Sequence, residues 1–221
     1  MATKKQINKT IEYLSLQDDV RLDKKVRALK QRDWILFLLL YPSEKRLEAY
    51  FKYIHPLLTD RQVIKMFADV WTNSDLVYQS ITECKSIFRT YGRTLMNNSE
   101  KKEFKNLPQK LKIYRGIRVP TLIDHGVSWT LSKECAEKFM NMIRYSYLEE
   151  LLSGEALPPE LHLLEKEITR DEVICYFNRR NESEIIYIDD KNSKCLKRLQ
   201  YSYKESFNPI YQETKSLKSA K

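Results

Sequence analysis

Apolar positions recur at helical spacing through the first hundred residues and at strand spacing thereafter. Ile7, Ile11 and Leu14, then Val20, Val26 and Leu29, carry the helical period up to about residue 33. Asp33 is placed to cap the next helix, whose apolar run Trp34 to Leu40 is expected to be buried and which Pro42 ends. A helix restarts at Ser43-Glu44-Lys45-Arg46, with Leu47, Tyr50, Phe51 and Ile54 on one face, and His55-Pro56 breaks it. Thr59 or Asp60 caps a segment with Val63, Met66, Phe67 and Val70 in line. Asn73 or Ser74 opens another that carries Leu76, Ile81, Cys84, Ile87 and Phe88 toward Tyr91-Gly92. No strand pattern occurs in this half.

Residues 97–109 are polar and Lys-rich, and Pro108 closes them, which sets a module boundary there. Strands are predicted at Leu111 to Val119 and Gly126 to Leu131. Ser132 then caps a helix with Ala136, Phe139, Met140 and Ile143, running to Leu152 and stopping at Ser153-Gly154. Leu157-Pro158-Pro159 is a turn. Further strands are expected at Leu163 to Thr169, Val173 to Phe177 and Glu184 to Ile188, with a shorter edge strand near Leu196 to Tyr203. The class is α+β: a helical region over 1–107, a strand-rich core over 108–203 and a polar tail over 204–221.

Composition narrows the classes. A chain of 221 residues with 42% hydrophobic and 31% charged content has enough of both for an ordinary globular core. Its longest apolar run, Trp34 to Tyr41, is about half the roughly 18–20 residues needed to cross a bilayer. Lys4, Lys5 and Lys9 lead into no compact apolar region or cleavage site, so a cytoplasmic protein with no membrane partner is expected. Cys84, Cys135, Cys175 and Cys195, with His55, His125 and His162, are too scattered for a disulfide framework or a structural metal. The net charge of +9 is uneven, with 20 Lys+Arg against 13 Asp+Glu up to Leu107 and 19 against 17 from Pro108. Such a surplus suits a polyanion or an acidic protein, or is simply a solvated Lys-rich surface.

The candidate chemistry lies in the second half. Arg115 and Ser128 each stand out on a short strand, and Gly116 and Gly126, two of only four glycines, flank them. A glycine directly after the arginine lets backbone approach a ligand closely. Downstream, Glu182 and Glu184 form an E-x-E. Residues i and i+2 of a strand lie about 6–7 Å apart on one face, so both carboxylates are expected to face a cleft, with Ser183 turned away. Two such acids suit reaction at a glycosidic carbon, one stabilising an oxocarbenium-like centre and the other serving the nucleophile. Alone, E-x-E is a weak signal, because paired glutamates on a solvated strand edge are common.

Together, Tyr114-Arg115-Gly116, Gly126-Val127-Ser128-Trp129-Thr130-Leu131-Ser132 leading into a helix, and Glu182-Ser183-Glu184 resemble the R-S-E class of mono-ADP-ribosyltransferases. The likeness covers residues 112–189 and extends to motif order and element type. It implies a helical region followed by a mixed β-sandwich catalytic core, with NAD as substrate and no metal. By this resemblance Arg115 grips the NAD phosphates, Gly116 offers backbone to the nicotinamide carboxamide, and Ser128 holds the nicotinamide ribose region and positions the catalytic glutamate. Thr130 and Trp129 complete the NAD site, with Trp129, Phe139 or Tyr145 as the aromatic wall. Glu184 stabilises the oxocarbenium ion, Glu182 activates or orients the acceptor, and Asn178, Arg179, Arg180 and Asn181 form the acceptor loop. The basic loop and basic helical half favour a nucleic acid, RNA in particular, slightly over protein arginine. A toxin or defence effector is the implied setting, and a toxin would imply a neutralising partner protein. An NAD glycohydrolase and a non-catalytic protein that binds nucleic acid or a partner through the same fold remain open.

Overall fold

In a computed structural model the described residues are 2–17, 19–75, 77–117, 126–141, 161–189 and 197–201, the last segment and 77–78 by backbone only. Contacts divide the chain into two compact units, Met1–Asn97 and Asn98–Lys221. The division falls after Asn97 rather than after Leu107, because the polar stretch placed at the boundary folds into a helix of the second unit.

The first unit is helical among its described residues. Helix α1 (Lys4–Ser15) starts at a capping box in which Thr3 and Gln6 bond each other's backbone N–H, and it buries Ile7 and Leu14. Helix α2 (Leu22–Gln31) buries Ala28 and Leu29. Asp33 caps α3 (Trp34–Leu39) through the Leu36 N–H, as its position predicts. The run is only half buried: Trp34, Phe37 and Leu38 face inward, while Ile35, Leu36 and Leu39 face out, and Val20 is also fully exposed. Six residues make barely two turns, so one face alone reaches the core. The helix from Arg46 passes through a π turn at Tyr50–Ile54 and ends in a 3-10 turn at His55–Leu57, where the His-Pro pair stops it. Here α4 is Arg46–Ala49. Helix α5 (Asp60–Thr72) has Thr59 as its N-cap, answered by Gln62, and buries Val63, Met66, Phe67 and Val70 as expected. Helix α6 (Ile81–Tyr91) begins later than Asn73 or Ser74, after a 3-10 turn at Val77–Ser80, and buries Cys84, Ile87 and Phe88.

The second unit opens with α7 (Asn98–Lys105), which buries Glu100 and Phe104. Its strands are β1 (Lys110–Ile117), β2 (Ser128–Thr130), β3 (Leu161–Thr169), β4 (Cys175–Phe177), β5 (Glu184–Ile186) and β6 (Lys197–Tyr201). They form one six-stranded sheet in the order β4-β5-β2-β1-β3-β6, and each pairing is antiparallel. The α+β class is therefore observed, but the described strands make one antiparallel sheet where a mixed sandwich was expected. The reason lies in β3, which pairs with β1 from Lys110↔Thr169 to Ile117↔His162 and so occupies the side of β1 away from β2. The predicted helix continuation to Leu152, the Leu157-Pro158-Pro159 turn and the tail from 204 lie outside the described residues. No helix among the described residues is long and apolar enough to cross a membrane.

Helix α8 (Lys133–Asn141) starts where Ser132 was expected to cap it, with Ser132 Oγ accepting the Cys135 N–H at 3.1 Å. It lies on the sheet face carrying Tyr114 and Gly116, and Ala136 and Met140 pack with Leu161 and Leu163. Gly116 makes this approach feasible: a Cβ there would sit 2.1 Å from the Ala136 carbonyl oxygen and 2.8 Å from Met140. A backbone carbonyl in the middle of a helix cannot step aside. We predict that Gly116→Ala destabilises the protein by about 1–3 kcal/mol in urea unfolding. A change within about 0.5 kcal/mol, the range of an innocuous surface substitution, would show that α8 does not depend on the missing side chain.

Candidate active site

Strand register assembles the site. Thr130 lies opposite Tyr114 of β1 and opposite Glu184 of β5, so β2 bridges the arginine strand and the glutamate strand. Directly opposite residues and alternate residues along a strand share a face, which puts Ser128, Thr130 and Glu184 together. Ser128 Oγ donates to Glu184 Oε1 at 2.5 Å across the strand pair. Glu184 is only 9% exposed, so this is a carboxylate held at the edge of the core by a charge-assisted hydrogen bond.

Arg115 approaches from elsewhere. The alternation that places Tyr114 with Thr130 gives Arg115 the opposite face, yet its Nη1 reaches the Ser128 carbonyl at 3.4 Å. The guanidinium lies against Gly126, where a Cβ would fall 1.4 Å from Nη1 and 1.6 Å from Cζ. Gly126 is thus glycine because the Arg115 head occupies the space a side chain would take. Arginine and glutamate meet at Ser128, one at its carbonyl and the other at its hydroxyl.

Several expected ligand contacts are used inside the protein instead. Trp129 alternates with Ser128 and Thr130, so it turns to the other face, is buried, and packs edge-on against Tyr187 with ring centres 6.4 Å apart. It belongs to the core and not to a nicotinamide wall. Its indole Nε1 is buried with no hydrogen-bond partner among the described residues. Thr130 is buried too; its hydroxyl donates to the Glu182 carbonyl at 2.6 Å and accepts the Ser132 N–H at 3.1 Å. It ties the loop before Glu184 to β2. Gly116 faces α8. Phe139 is half buried on α8, and Tyr145 lies outside the described residues.

The E-x-E does not share one strand face. Strand β5 begins at Glu184, and Ser183 has φ of 45°, a left-handed conformation that breaks the alternation. Glu182 therefore belongs to the preceding turn, where Arg180 Nε and Nη2 donate to its Oε2 at 3.0 and 2.8 Å. Burial, reinforced by the Glu182 charge and opposed by a hydrogen bond with Thr130, pushes the nearby Cys135 thiol up, so it keeps its proton at neutral pH.

The predicted acceptor loop is half strut and half surface. Arg179 Nε donates to Glu100 Oε1 at 3.1 Å, and Asn178 Nδ2 donates to Glu103 Oε2 at 3.0 Å, both on α7. Arg180 and Asn181 are exposed, and Asn181 has φ of 57°. Glu100 and Glu103 are the residues that sequence reasoning missed. Their i, i+3 spacing beside Phe104 was the available signal, masked by the surrounding lysines.

The Glu103 carboxyl is held below the usual carboxylate range by the Tyr176 hydroxyl first, then by Ser99 and the Asn178 amide. A depressed folded value means that its stabilising contribution is complete above the ordinary value of 4.5 and disappears as pH falls through the lower folded value. The melting-temperature gap between wild type and Glu103→Gln is accordingly expected to be constant from pH 7 to 4.5 and to close below it. A gap that stays constant down to pH 3 would contradict this anchoring role. No family model, curated protein or solved structure matches the chain.

Proposed function

We propose that this chain is an NAD-dependent mono-ADP-ribosyltransferase with Glu184 as its catalytic carboxylate. The observation that supports this most is the 2.5 Å hydrogen bond from Ser128 to Glu184, with Arg115 held on the carbonyl of the same serine. In the reaction the bond between ribose C1′ and the nicotinamide nitrogen breaks, and its electron pair leaves with neutral nicotinamide. The ribose is left as an oxocarbenium cation, which a fixed carboxylate in a dry setting stabilises far better than water does. Ser128 keeps Glu184 oriented for that task. Arg115 offers a guanidinium fork suited to the NAD pyrophosphate. The acceptor then bonds to C1′ and gives its proton to Glu182.

RNA is the favoured macromolecular acceptor, on the strength of the basic surplus up to Leu107. The loop no longer adds to that preference, since Arg179 and Arg180 are matched by Glu100 and Glu182. One observation favours a second reading, NAD glycohydrolysis: Arg180 already occupies the Glu182 carboxylate that an acceptor would use, and water needs the least room.

Labelled NAD incubated with the protein and a cell lysate separates the readings. Label on a macromolecule supports transfer, and its loss on RNase rather than protease treatment identifies RNA. Free ADP-ribose alone supports hydrolysis, and unconsumed NAD removes both. Glu184→Gln is expected to lower kcat by roughly a hundredfold or more with the fold intact, as for other preorganised electrostatic groups; wild-type turnover in that variant would sink the assignment. The atoms nearest a Cβ in Gly126→Ala are the end of the flexible Arg115 side chain. The substitution should therefore leave the melting temperature nearly unchanged and raise KM for NAD about tenfold by displacing Arg115.

A further inference from the structure

Two peptide groups precede Glu184, and both are held from outside their own loop. The Glu182 carbonyl accepts from Thr130 Oγ1 at 2.6 Å, and the Ser183 carbonyl accepts the Leu131 N–H at 3.1 Å. The Ser183 N–H donates to Asn178 Oδ1 at 3.2 Å. Ser183 is in the left-handed region without being glycine, a state that persists only where surrounding contacts enforce it.

Asn178 is the centre of that enforcement. Its N–H points to Glu100 Oε1 at 3.4 Å, its Nδ2 donates to Glu103 Oε2, its Oδ1 accepts from Ser183, and its carbonyl accepts the Asn181 N–H at 3.2 Å. A carboxylate on one end of the amide and an N–H on the other fix which atom is nitrogen. Glu100, 2% exposed, needs a countercharge, and Arg179 supplies it.

We propose that Asn178 and Glu100 are positioning residues for Glu184: α7 sets the geometry of the glutamate turn through them. The proposal rests on reading Glu184 as the catalytic carboxylate. Without Asn178 the Ser183 N–H loses its acceptor, the left-handed residue relaxes, and the Glu184 carboxylate leaves the geometry set with Ser128. Misplacement of about 1 Å is enough to cost two orders of magnitude in rate. NAD binding through Arg115 is untouched, so the loss falls on kcat.

The test compares the full-length wild type with Asn178→Ala, Glu100→Gln and the double variant Asn178→Asp/Glu103→Gln. The double variant reverses donor and acceptor across the Asn178–Glu103 contact and keeps an oxygen for the Ser183 N–H. Amide hydrogen exchange at Ser183 and Leu131 is measured together with kcat and KM for NAD. The expected result is Ser183 exchange at least about tenfold faster in the single variants, kcat down by up to about a hundredfold, KM within about threefold, and recovery of both readouts in the double variant. Unchanged Ser183 protection in Asn178→Ala, or wild-type kcat despite faster exchange, overturns the proposal. A wild-type protein that consumes no NAD removes the reading of Glu184 as catalytic, while the exchange data still decide whether α7 holds the turn.

Discussion

A carboxylate at the head of a buried strand is the constraint to which the rest of the second unit answers. Glu184 pairs with Thr130 on one side and Phe177 on the other and is only 9% exposed, so its carboxylate sits at the edge of the core. A buried charge without partners is costly, and the neighbouring strand meets it with a hydroxyl at 2.5 Å. That hydroxyl must come from a position diagonal to Glu184, because the residue directly opposite is Thr130, whose own hydroxyl is committed to the loop. The order Ser-x-Thr thus divides two tasks between two neighbouring positions on one face. Ser128 serves the carboxylate, and Thr130 serves the backbone that delivers it.

The same accounting explains the loop before Glu184. The Arg179–Glu100 pair is shielded, with side chains 19% and 2% exposed, whereas Arg180 and Glu182 are 42% and 24% exposed. Losing one partner of the first pair leaves a buried carboxylate unmatched, whereas a solvent-facing pair contributes only about 0–1 kcal/mol. Residues 178–179 are therefore fixed to α7, while 180–182 can exchange partners at little cost. Two left-handed non-glycine residues, Asn181 and Ser183, sit in this span. The strain at Ser183, about 1–3 kcal/mol, is offset by its bonds to Asn178, which α7 holds, and to Leu131 just after β2, whereas Asn181 bonds the Asn178 carbonyl within the turn.

Those long-range offsets mark where the sequence stopped being informative. Arg115, Ser128 and Glu184 were legible because strand periodicity and motif order are local properties, and the strands carrying them form side by side. The Ser132 cap was legible for the same reason. Trp129 was assigned to the NAD site against that same alternation; once Ser128 and Thr130 are placed on one face, the residue between them turns to the other, where Trp129 packs on Tyr187. The E-x-E misled because the strand rule was applied to a residue outside the strand, and the left-handed Ser183 has no sequence signature comparable to glycine. Arg179 and Arg180 read as one basic loop, although their countercharges lie 79 and 2 residues away in the chain. Helix α7 was hidden by lysines that face solvent while Glu100 faces inward. Composition averages over faces, and the face decided the role.

The partition of that loop also sharpens the choice of acceptor. On the transferase reading an incoming protein arginine must take the Glu182 carboxylate from Arg180, a guanidinium for guanidinium exchange that starts from a weak surface pair. A nucleic-acid nucleophile passes its proton to Glu182 without replacing Arg180, whose two bonds are to Oε2 alone. Arg180 can remain on Glu182 and cancel the carboxylate that would otherwise repel phosphate, while the ribose or base nucleophile reaches C1′. Arg180 is displaced in the first case and retained in the second, so its contact with Glu182 discriminates between acceptor classes by whether it has to break. The pair is weak enough to allow either, and that is why the charge of the loop, taken alone, favours neither acceptor.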